Sequence, residues 1–135
     1  KRKASFMLEN KLSDMAVRIH SCAISKGWWE SERELPEQIA LMHSELSEAL
    51  EEWRTYGLDR MVYYKHTYPC VSTANTPSCA KCGITKPEGV AVELVDCIIR
   101  IMDTLEHYNV PIEELIEAKV CYNETRPYRH GGKLA

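Results

Sequence analysis

Apolar residues recur at helical spacing in four stretches of this 135-residue chain, and that repetition constrains its fold more than any other feature. Glycine often ends a helix and proline is favourable in a first turn, so Gly27 and Pro36 indicate a helix end and a helix start. The pattern predicts an all-α fold in a single domain over 1–135. The predicted helices cover about 5–26, 36–55, 88–108 and 111–125.

The third predicted helix is apolar on most of its surface. Its apolar positions include Leu94, Val95, Ile98, Ile99 and Ile101. A helix of this kind usually lies at the centre of a bundle or in a subunit interface. We therefore expect the core to continue across a subunit interface.

An insert of about 30 residues, 57–86, separates the second and third predicted helices. It is rich in Ser, Thr, Asn and Pro, and it contains three of the six cysteines. Helix–helix connections usually have about 2–8 residues. The insert therefore has a function, is stabilised by something other than a core, or is disordered. Its β-type pattern is confined to 61–64, which indicates at most a short strand.

Two pairs of acidic residues lie on consecutive predicted helices. Glu45 and Glu48 are three residues apart, as are Glu93 and Asp96, so each pair shares a helix face. If the helices pack antiparallel, the pairs can converge, and converging carboxylates need cations or raised pKa values. Oxygen ligands without histidine suit Mg²⁺ or Mn²⁺, and such clusters usually act on phosphates. Ordinary solvated helix faces are the alternative.

Lys119, Asn123 and Arg126 share one face of the fourth predicted helix. Cations near a helix C-terminus offset the macrodipole, which is sufficient to explain Arg126. Lys119 lies on the line of Ile112, Leu115 and Tyr122, where a purely structural helix would have another apolar residue. Phosphate binding is the functional interpretation of that lysine.

Cysteines are concentrated in the insert. Cys79 and Cys82 form a CxxC motif, and with His66 and Cys70 they could supply a Cys₃His structural zinc site. A bound metal would explain how a polar segment without a core stays folded. A disulfide between Cys79 and Cys82, or free thiols in a mobile loop, are the alternatives. Three further cysteines are expected to be small core residues on helices: Cys22, Cys97 and Cys121.

Composition excludes several classes of protein. Lys and Arg number 17 against 20 Asp and Glu, and a formal charge of -3 argues against general nucleic-acid binding. The apolar runs are far shorter than the roughly 20 residues of a membrane span. The N-terminal residues show no apolar core of a secretory signal. We therefore expect a cytoplasmic protein without a membrane partner.

The sequence resembles the MazG-like, all-α nucleoside triphosphate pyrophosphohydrolases over most of the chain outside the insert. An ExxE pair followed by an ExxD pair on the next helix is that family's defining motif. The resemblance implies a four-helix bundle-type MazG-like fold with a cysteine-containing loop insert between helices two and three. The matching segments are 26–30 (KGWWE), 41–54 (LMHSELSEALEEWR), 86–103 (KPEGVAVELVDCIIRIMD) and 119–133 (KVCYNETRPYRHGGK).

The resemblance also implies an activity, hydrolysis of a nucleoside or deoxynucleoside triphosphate to the monophosphate and pyrophosphate by an obligate dimer or tetramer. On this hypothesis, either Glu48 or Glu52 takes a proton from the attacking water. The implied ligands of Mg²⁺, which Mn²⁺ could replace, are Glu45, Glu48, Glu93 and Asp96.

Four further residues are candidates for substrate binding. Lys119 and Arg126 would stabilise phosphate charge, and Asn123 would contact the ribose or a phosphate. Trp29 would form an aromatic wall for the base, with a plain core tryptophan as the alternative.

The link between the two acid pairs is longer than the family pattern usually has. The insert accounts for the excess and could change the substrate entrance, so base specificity is not predicted. Two other functions remain open at this point. One is a catalytically inactive helical module that binds a partner through the cysteine loop, and the other is a phosphoribosyl-ATP pyrophosphatase-type activity.

Overall fold

A computed structural model of the chain describes residues 11–67 and 69–128. Within these ranges each of the four stretches of helical spacing contains a helix. The predicted start of the first helix at Ser5 lies outside the described residues, as does the tail after Tyr128. The helices are α1 Lys11–Ser25, α2 Leu35–Tyr56, α3 Val90–His107 and α4 Ile112–Glu124.

The insert contains two small antiparallel ribbons, so the prediction of an all-α, four-helix bundle-type MazG-like fold is wrong. The chain is mostly helical with a small β region. Only β1 overlaps the predicted strand 61–64. The other three strands have two or three residues each, too few for a readable alternation of apolar and polar side chains. Strand β1 Tyr63–Lys65 pairs with β4 Lys86–Glu88, and β2 Ser78–Cys79 pairs with β3 Gly83–Ile84.

Helix α2 has the start and stop residues that its sequence indicates. Pro36 lies in its first turn, where a missing N–H costs nothing. Gly57 follows the last helical residue with φ 61°, and its N–H donates to the Trp53 carbonyl at 2.7 Å. A residue with a side chain would be strained in this conformation.

The described residues form two compact units, and the prediction of a single domain stays a prediction. The first unit contains the described residues up to Glu30 and those from Met102 onwards, and the second unit is Ser31–Ile101. In the first unit, Ala16, Met102 and Ile112 form a small buried core.

Glu113 of α4 caps the N-terminus of α1 within the first unit. Its carboxylate accepts hydrogen bonds from the backbone N–H groups of Leu12 and Ser13, each at 3.1 Å, and from the Ser13 hydroxyl. These N–H groups belong to the first turn and have no partner within the helix. The contact therefore joins the beginnings of two helices.

In the second unit, the start of α3 is fixed to the insert by backbone contacts. The N–H of Ala91 donates to the Met61 carbonyl at 3.0 Å. Gly89 has φ +115°, and an added Cβ would lie 2.5 Å from the Arg60 carbonyl oxygen. Only glycine allows this close approach, so the insert determines where α3 begins.

Much of the apolar surface predicted for the core is not buried within the chain. Helical spacing gives α2 an apolar stripe, the α2 stripe, made of Ile39, Met42, Leu46, Ala49, Leu50 and Trp53. Ala49 is the buried member of this stripe, and Cys97 is buried on α3. Cys22 and Cys121 are exposed, so the expectation of core positions for these two cysteines is wrong. Four other members of the α2 stripe are 44–52% exposed: Ile39, Leu46, Leu50 and Trp53.

No helix in the described part of the chain is long and apolar enough to cross a bilayer.

Candidate functional site

Three of the four predicted magnesium ligands come together in the second unit. Glu45 of α2 and Glu93 and Asp96 of α3 each place a carboxylate oxygen within 4.8 Å of the others. We call these three residues the acid cluster. Glu45 is 6% exposed and Glu93 is 8% exposed. Carboxylates are seldom buried so far without a compensating charge.

Burial and neighbouring charges raise the pKa values of Glu93 and Asp96 in the acid cluster. Burial raises the pKa of Glu93 above its ordinary value, and the charges of Glu48, Asp96 and Glu45 raise it further. Burial also raises the pKa of Asp96, with Glu45 as the largest charge contribution and Arg100 acting in the opposite direction. A bound cation would reverse these shifts, because it favours the ionised carboxylates.

Arg100 provides part of the compensating charge. It lies one helical turn beyond Asp96 on α3, and its Nε donates to Glu45 Oε1 at 2.5 Å. One guanidinium faces three carboxylates, so the positive charge supplied by this residue does not balance the cluster.

Glu48 and Glu52, the two candidates for accepting a proton from water, have different surroundings. Glu48 lies outside the acid cluster and is exposed, yet its charge contributes more than any other to the raised pKa of Glu93. Glu52 accepts a hydrogen bond from the Tyr63 hydroxyl, with O···O distances of 3.3 and 3.4 Å. Burial raises the pKa of Tyr63, and Glu52 raises it further. Glu52 is therefore held by the insert, whereas Glu48 faces solvent beside the cluster.

Glu88 is a buried acid that sequence reasoning missed. It is 7% exposed at the end of β4, and its Oε1 lies 2.7 Å from Lys86 Nζ and 3.2 Å from Lys65 Nζ. Burial acts to raise the pKa of Glu88, but the two lysines outweigh burial and hold it below its ordinary value. Residues 86 and 88 lie on one face of β4, because alternate residues of a strand point to the same side. That spacing was the sequence signal that could have indicated the ion pair of Lys86 with Glu88. Since two lysines already compensate Glu88, it is a structural acid.

The four residues predicted as zinc ligands also come together, in the insert. We call His66, Cys70, Cys79 and Cys82 the Cys/His cluster, and one donor atom of each lies within 4.8 Å of the others. His66 Nδ1 is 3.6 Å from Cys70 Sγ and 3.4 Å from Cys82 Sγ, and Cys70 Sγ is 3.7 Å from Cys79 Sγ. The three cysteines are free thiols in this structure.

Backbone groups orient two members of the Cys/His cluster. His66 Nε2 lies 2.7 Å from the Ala74 carbonyl oxygen and donates to it, which leaves the Nδ1 lone pair facing the sulfur atoms. The N–H of Lys81 donates to Cys79 Sγ at 3.4 Å. Hydrogen bonds from the backbone N–H groups of Lys81 and Cys82 lower the pKa of the Cys79 thiol to about 6. These hydrogen bonds favour the thiolate of Cys79, the form that binds metals.

Trp29, a predicted substrate contact, lies in the first unit and is partly buried. Its indole N–H donates to both carboxylate oxygens of Asp103, at 3.1 and 3.2 Å. Its ring stacks on that of His107 with the centroids 3.8 Å apart, and His20 Nδ1 lies 2.7 Å from Asp103 Oδ1. His107 thus covers one face of the Trp29 ring, and the His20 ring makes an edge contact with it at a centroid distance of 5.5 Å.

The other three predicted substrate contacts lie along α4 and its C-terminal end. Lys119 and Asn123 are exposed, and Arg126 is partly buried. Lys119 Nζ is 5.2 Å from the centre of the Tyr122 ring, a cation–π distance. Leu115 and Tyr122 are 54% and 59% exposed, whereas Ile112 is buried, so the line that includes Lys119 is open to solvent only beyond the first turn of α4. These residues belong to the first unit, whereas the acid and Cys/His clusters belong to the second.

Comparison of the chain with protein-family models, with curated proteins and with solved structures gives no match. The functional assignment therefore rests on the sequence motifs and on the geometry of the two clusters.

Proposed function

We propose that this protein is a Mg²⁺-dependent nucleotide pyrophosphohydrolase, which hydrolyses a nucleoside or deoxynucleoside triphosphate to the monophosphate and pyrophosphate. The convergence of Glu45, Glu93 and Asp96 from two helices, with two of them buried, is the observation that carries the proposal. Burying carboxylates close together costs free energy unless a positive charge compensates them. The order of the acid pairs, ExxE then ExxD, supports a phosphate-directed function through the resemblance to MazG-like enzymes.

The donor set fits magnesium. Mg²⁺ is usually bound by a few carboxylates and completes its coordination with water and substrate phosphates. Glu45, Glu93 and Asp96 would hold the ion, and Glu48 is the fourth ligand by analogy with the family motif. When bound, the ion would neutralise phosphate oxygens and make a coordinated water more acidic.

Among the protein's own groups, Glu48 is the better placed proton acceptor. Its carboxylate is exposed beside the acid cluster, whereas Glu52 is occupied by the Tyr63 hydroxyl. In the reaction, water adds to one phosphorus of the α–β anhydride, and its proton passes to a Glu48 carboxylate oxygen that the ion would not engage. The bond from that phosphorus to the bridging oxygen breaks, and the monophosphate and pyrophosphate are released. By the resemblance alone, Lys119 and Arg126 would stabilise phosphate charge, Asn123 would hydrogen-bond the ribose or a phosphate, and Trp29 would contact the base.

We further propose that the chain acts as a homo-oligomer, a dimer or a tetramer. The half-exposed apolar stripe of α2 supports this, as does α3, where Val95 is 49% exposed and Ile98 is 52% exposed. Contiguous apolar surface of this kind is typical of an interface between subunits. We place the protein in the cytoplasm, where thiols stay reduced and nucleoside triphosphates are available.

A substrate panel tests the proposed function. Pyrophosphate and monophosphate are measured for the purified chain with common, deoxy and modified triphosphates and with phosphoribosyl-ATP, each with and without Mg²⁺. We expect Mg²⁺-dependent release of pyrophosphate from at least one triphosphate. Release from phosphoribosyl-ATP alone would replace the proposal with the narrower activity. No release from any compound would reject it in favour of an inactive interaction module.

A further inference from the structure

The insert has little apolar burial and little secondary structure to stabilise one conformation. Among its described residues, no apolar side chain is buried, and Leu58, Val71 and Ile84 are 70%, 84% and 87% exposed. Its strands have only two or three residues each. A segment without a core needs another source of stability, such as a disulfide or a bound metal.

We propose that the Cys/His cluster is a closed, tetrahedral zinc site that folds the insert. Zn–S bonds of about 2.3 Å and Zn–N bonds of about 2.0–2.1 Å at tetrahedral angles place two sulfurs about 3.8 Å apart. They place a sulfur and a nitrogen about 3.6 Å apart. The Sγ atoms of Cys70 and Cys79 are 3.7 Å apart, and His66 Nδ1 is 3.6 and 3.4 Å from the Sγ atoms of Cys70 and Cys82. These three distances match the donor–donor distances expected around a tetrahedral zinc ion.

The geometry argues against the other interpretations of the cysteines. A disulfide would join Cys79 and Cys82 with sulfur atoms about 2.05 Å apart, but both are free thiols in this structure. Free thiols in a loop have no reason to place four donor atoms of His66, Cys70, Cys79 and Cys82 around one point. The residues are separated in sequence, so their convergence requires the whole segment from 66 to 82 to fold around that point.

Backbone groups complete the environment that zinc ligands require. The hydrogen bond from His66 Nε2 to the Ala74 carbonyl fixes the ring with Nδ1 as the metal donor. The Lys81 N–H supports Cys79 Sγ, and Gly83, with φ +77°, allows the tight turn that follows the CxxC motif. Four nitrogen and sulfur donors leave no open position for substrate, so the site is structural.

Zinc at this site would connect both ribbons of the insert. His66 directly follows β1, Cys79 ends β2 and Cys82 directly precedes β3. Thr85, 2% exposed between β3 and β4, donates its hydroxyl to the Thr76 carbonyl at 2.6 Å. One ion thus fixes the two ends of the insert that lead to α2 and α3. This inference does not depend on the proposed enzymatic activity.

Metal analysis tests the proposal on the full chain, purified under reducing conditions without a chelator. We expect one zinc per chain in the wild type and none in Cys79→Ser or His66→Ala. His66→Cys should keep its zinc, because four cysteines also form a tetrahedral site. Cys22→Ser changes an exposed cysteine on α1 and serves as the matched control with unchanged zinc.

Cobalt substitution keeps the test independent of whether the variants fold. Co²⁺ added to the metal-free wild type should give the intense visible and thiolate charge-transfer absorption of a tetrahedral site. An octahedral cobalt spectrum would overturn the proposal, as would a wild type that takes up no zinc on reconstitution. Equal zinc content in wild type and Cys79→Ser would also overturn it. Pyrophosphate release plays no part in these measurements, so failure of the zinc site and failure of the proposed function are distinguishable.

Discussion

The acid cluster and the Cys/His cluster lie in the same unit but gather their ligands in opposite ways. The acid cluster draws three hard oxygen ligands from two long helices and leaves the coordination of a metal incomplete. The Cys/His cluster draws four nitrogen and sulfur donors from a short irregular segment, each within 4.8 Å of the others. Structural metal sites are closed, whereas catalytic sites keep positions for substrate or water. On the two proposals above, the chemistry belongs to α2 and α3, and the zinc site orders the insert.

The two clusters also differ in how their charge is compensated. Backbone N–H groups support Cys79, and a backbone carbonyl orients His66. In the acid cluster, by contrast, burial and neighbouring carboxylates raise the pKa values of Glu93 and Asp96, and Arg100 donates a hydrogen bond to Glu45. The acid cluster therefore gains more from a cation whose remaining coordination sites are filled by phosphate.

The largest expected effect comes from neutralising a ligand of the acid cluster. Asp96→Asn or Glu45→Gln should reduce Mg²⁺-dependent pyrophosphate release by more than the roughly 10–100-fold typical of residues that only support a metal ligand. Circular dichroism should show unchanged helix content. Glu51→Gln is the matched control, since Glu51 is an exposed acid on α2 paired with Arg54 and lies outside the cluster. Full activity in Asp96→Asn would remove the acid cluster from the mechanism.

Zinc removal should lower the hydrogen-exchange protection of the insert. On chelation, amide hydrogen exchange between 66 and 83 should approach the rate of an unfolded segment, because none of the apolar side chains that the structure describes there is buried. The middle of α2 should keep most of its protection, since its hydrogen bonds lie within the helix. Mass spectrometry after timed exchange resolves the two regions. Equal loss of protection in both would show that the insert and the helices unfold together.

Arg100 allows a smaller test of charge within the acid cluster. Arg100→Gln removes a cation that competes with a metal for Glu45, so Mn²⁺ without nucleotide should bind about fivefold more tightly, a change of about 1 kcal/mol. Arg100→Lys keeps the charge and should bind Mn²⁺ nearly as the wild type does. Weaker binding in Arg100→Gln would mean that Arg100 positions Glu45 as a ligand.

The smallest effect is expected at Glu113, which belongs to neither cluster. The Ser13 hydroxyl and backbone N–H hold the pKa of Glu113 below its ordinary value of 4.5. Its stabilising contribution is therefore present above the unfolded-state pKa and is lost as the pH falls through the lower folded-state pKa. Glu113→Gln should lower the melting temperature slightly at neutral pH, and the difference should shrink in acid. Thermal melts at several pH values measure this.

Glu114→Gln serves as the control for Glu113→Gln, because it changes an exposed neighbouring acid in the same helical turn. Neither variant should change metal binding. A stability difference between Glu113→Gln and the wild type that stays constant at low pH would contradict the capping role of the ionised carboxylate.

Sequence periodicity predicted the helices and the shared faces of the acids. The spacing of three residues puts Glu93 and Asp96 on one side of α3 whatever surrounds it. Periodicity does not reveal what covers a face, which is why the α2 stripe, expected in the core, is half exposed in the single chain. The ion pair of Arg100 with Glu45 joins two helices and depends on their packing, so spacing alone did not show it.

Apart from the short strand predicted at 61–64, the β region could not be predicted, and the two ribbons differ in the reason. Tyr63 pairs with Glu88 across the whole insert, and β2 and β3 are too short to show alternation. The CxxC motif did indicate the Cys/His cluster, because Cys79 and Cys82 at this spacing flank a tight turn. The donors His66 and Cys70 followed from residue type, but their convergence with the CxxC motif depends on the fold of the insert.

Mn²⁺ binding tests most directly whether the acid cluster, and not the Cys/His cluster, holds the proposed catalytic cation. Free Mn²⁺ is counted by electron paramagnetic resonance as the ion is added to zinc-loaded protein, and Mg²⁺ is then used to displace it. We expect binding that Asp96→Asn abolishes and that His66→Cys and Glu51→Gln preserve. Binding unchanged in Asp96→Asn, or no Mn²⁺ binding by the wild type, would contradict it.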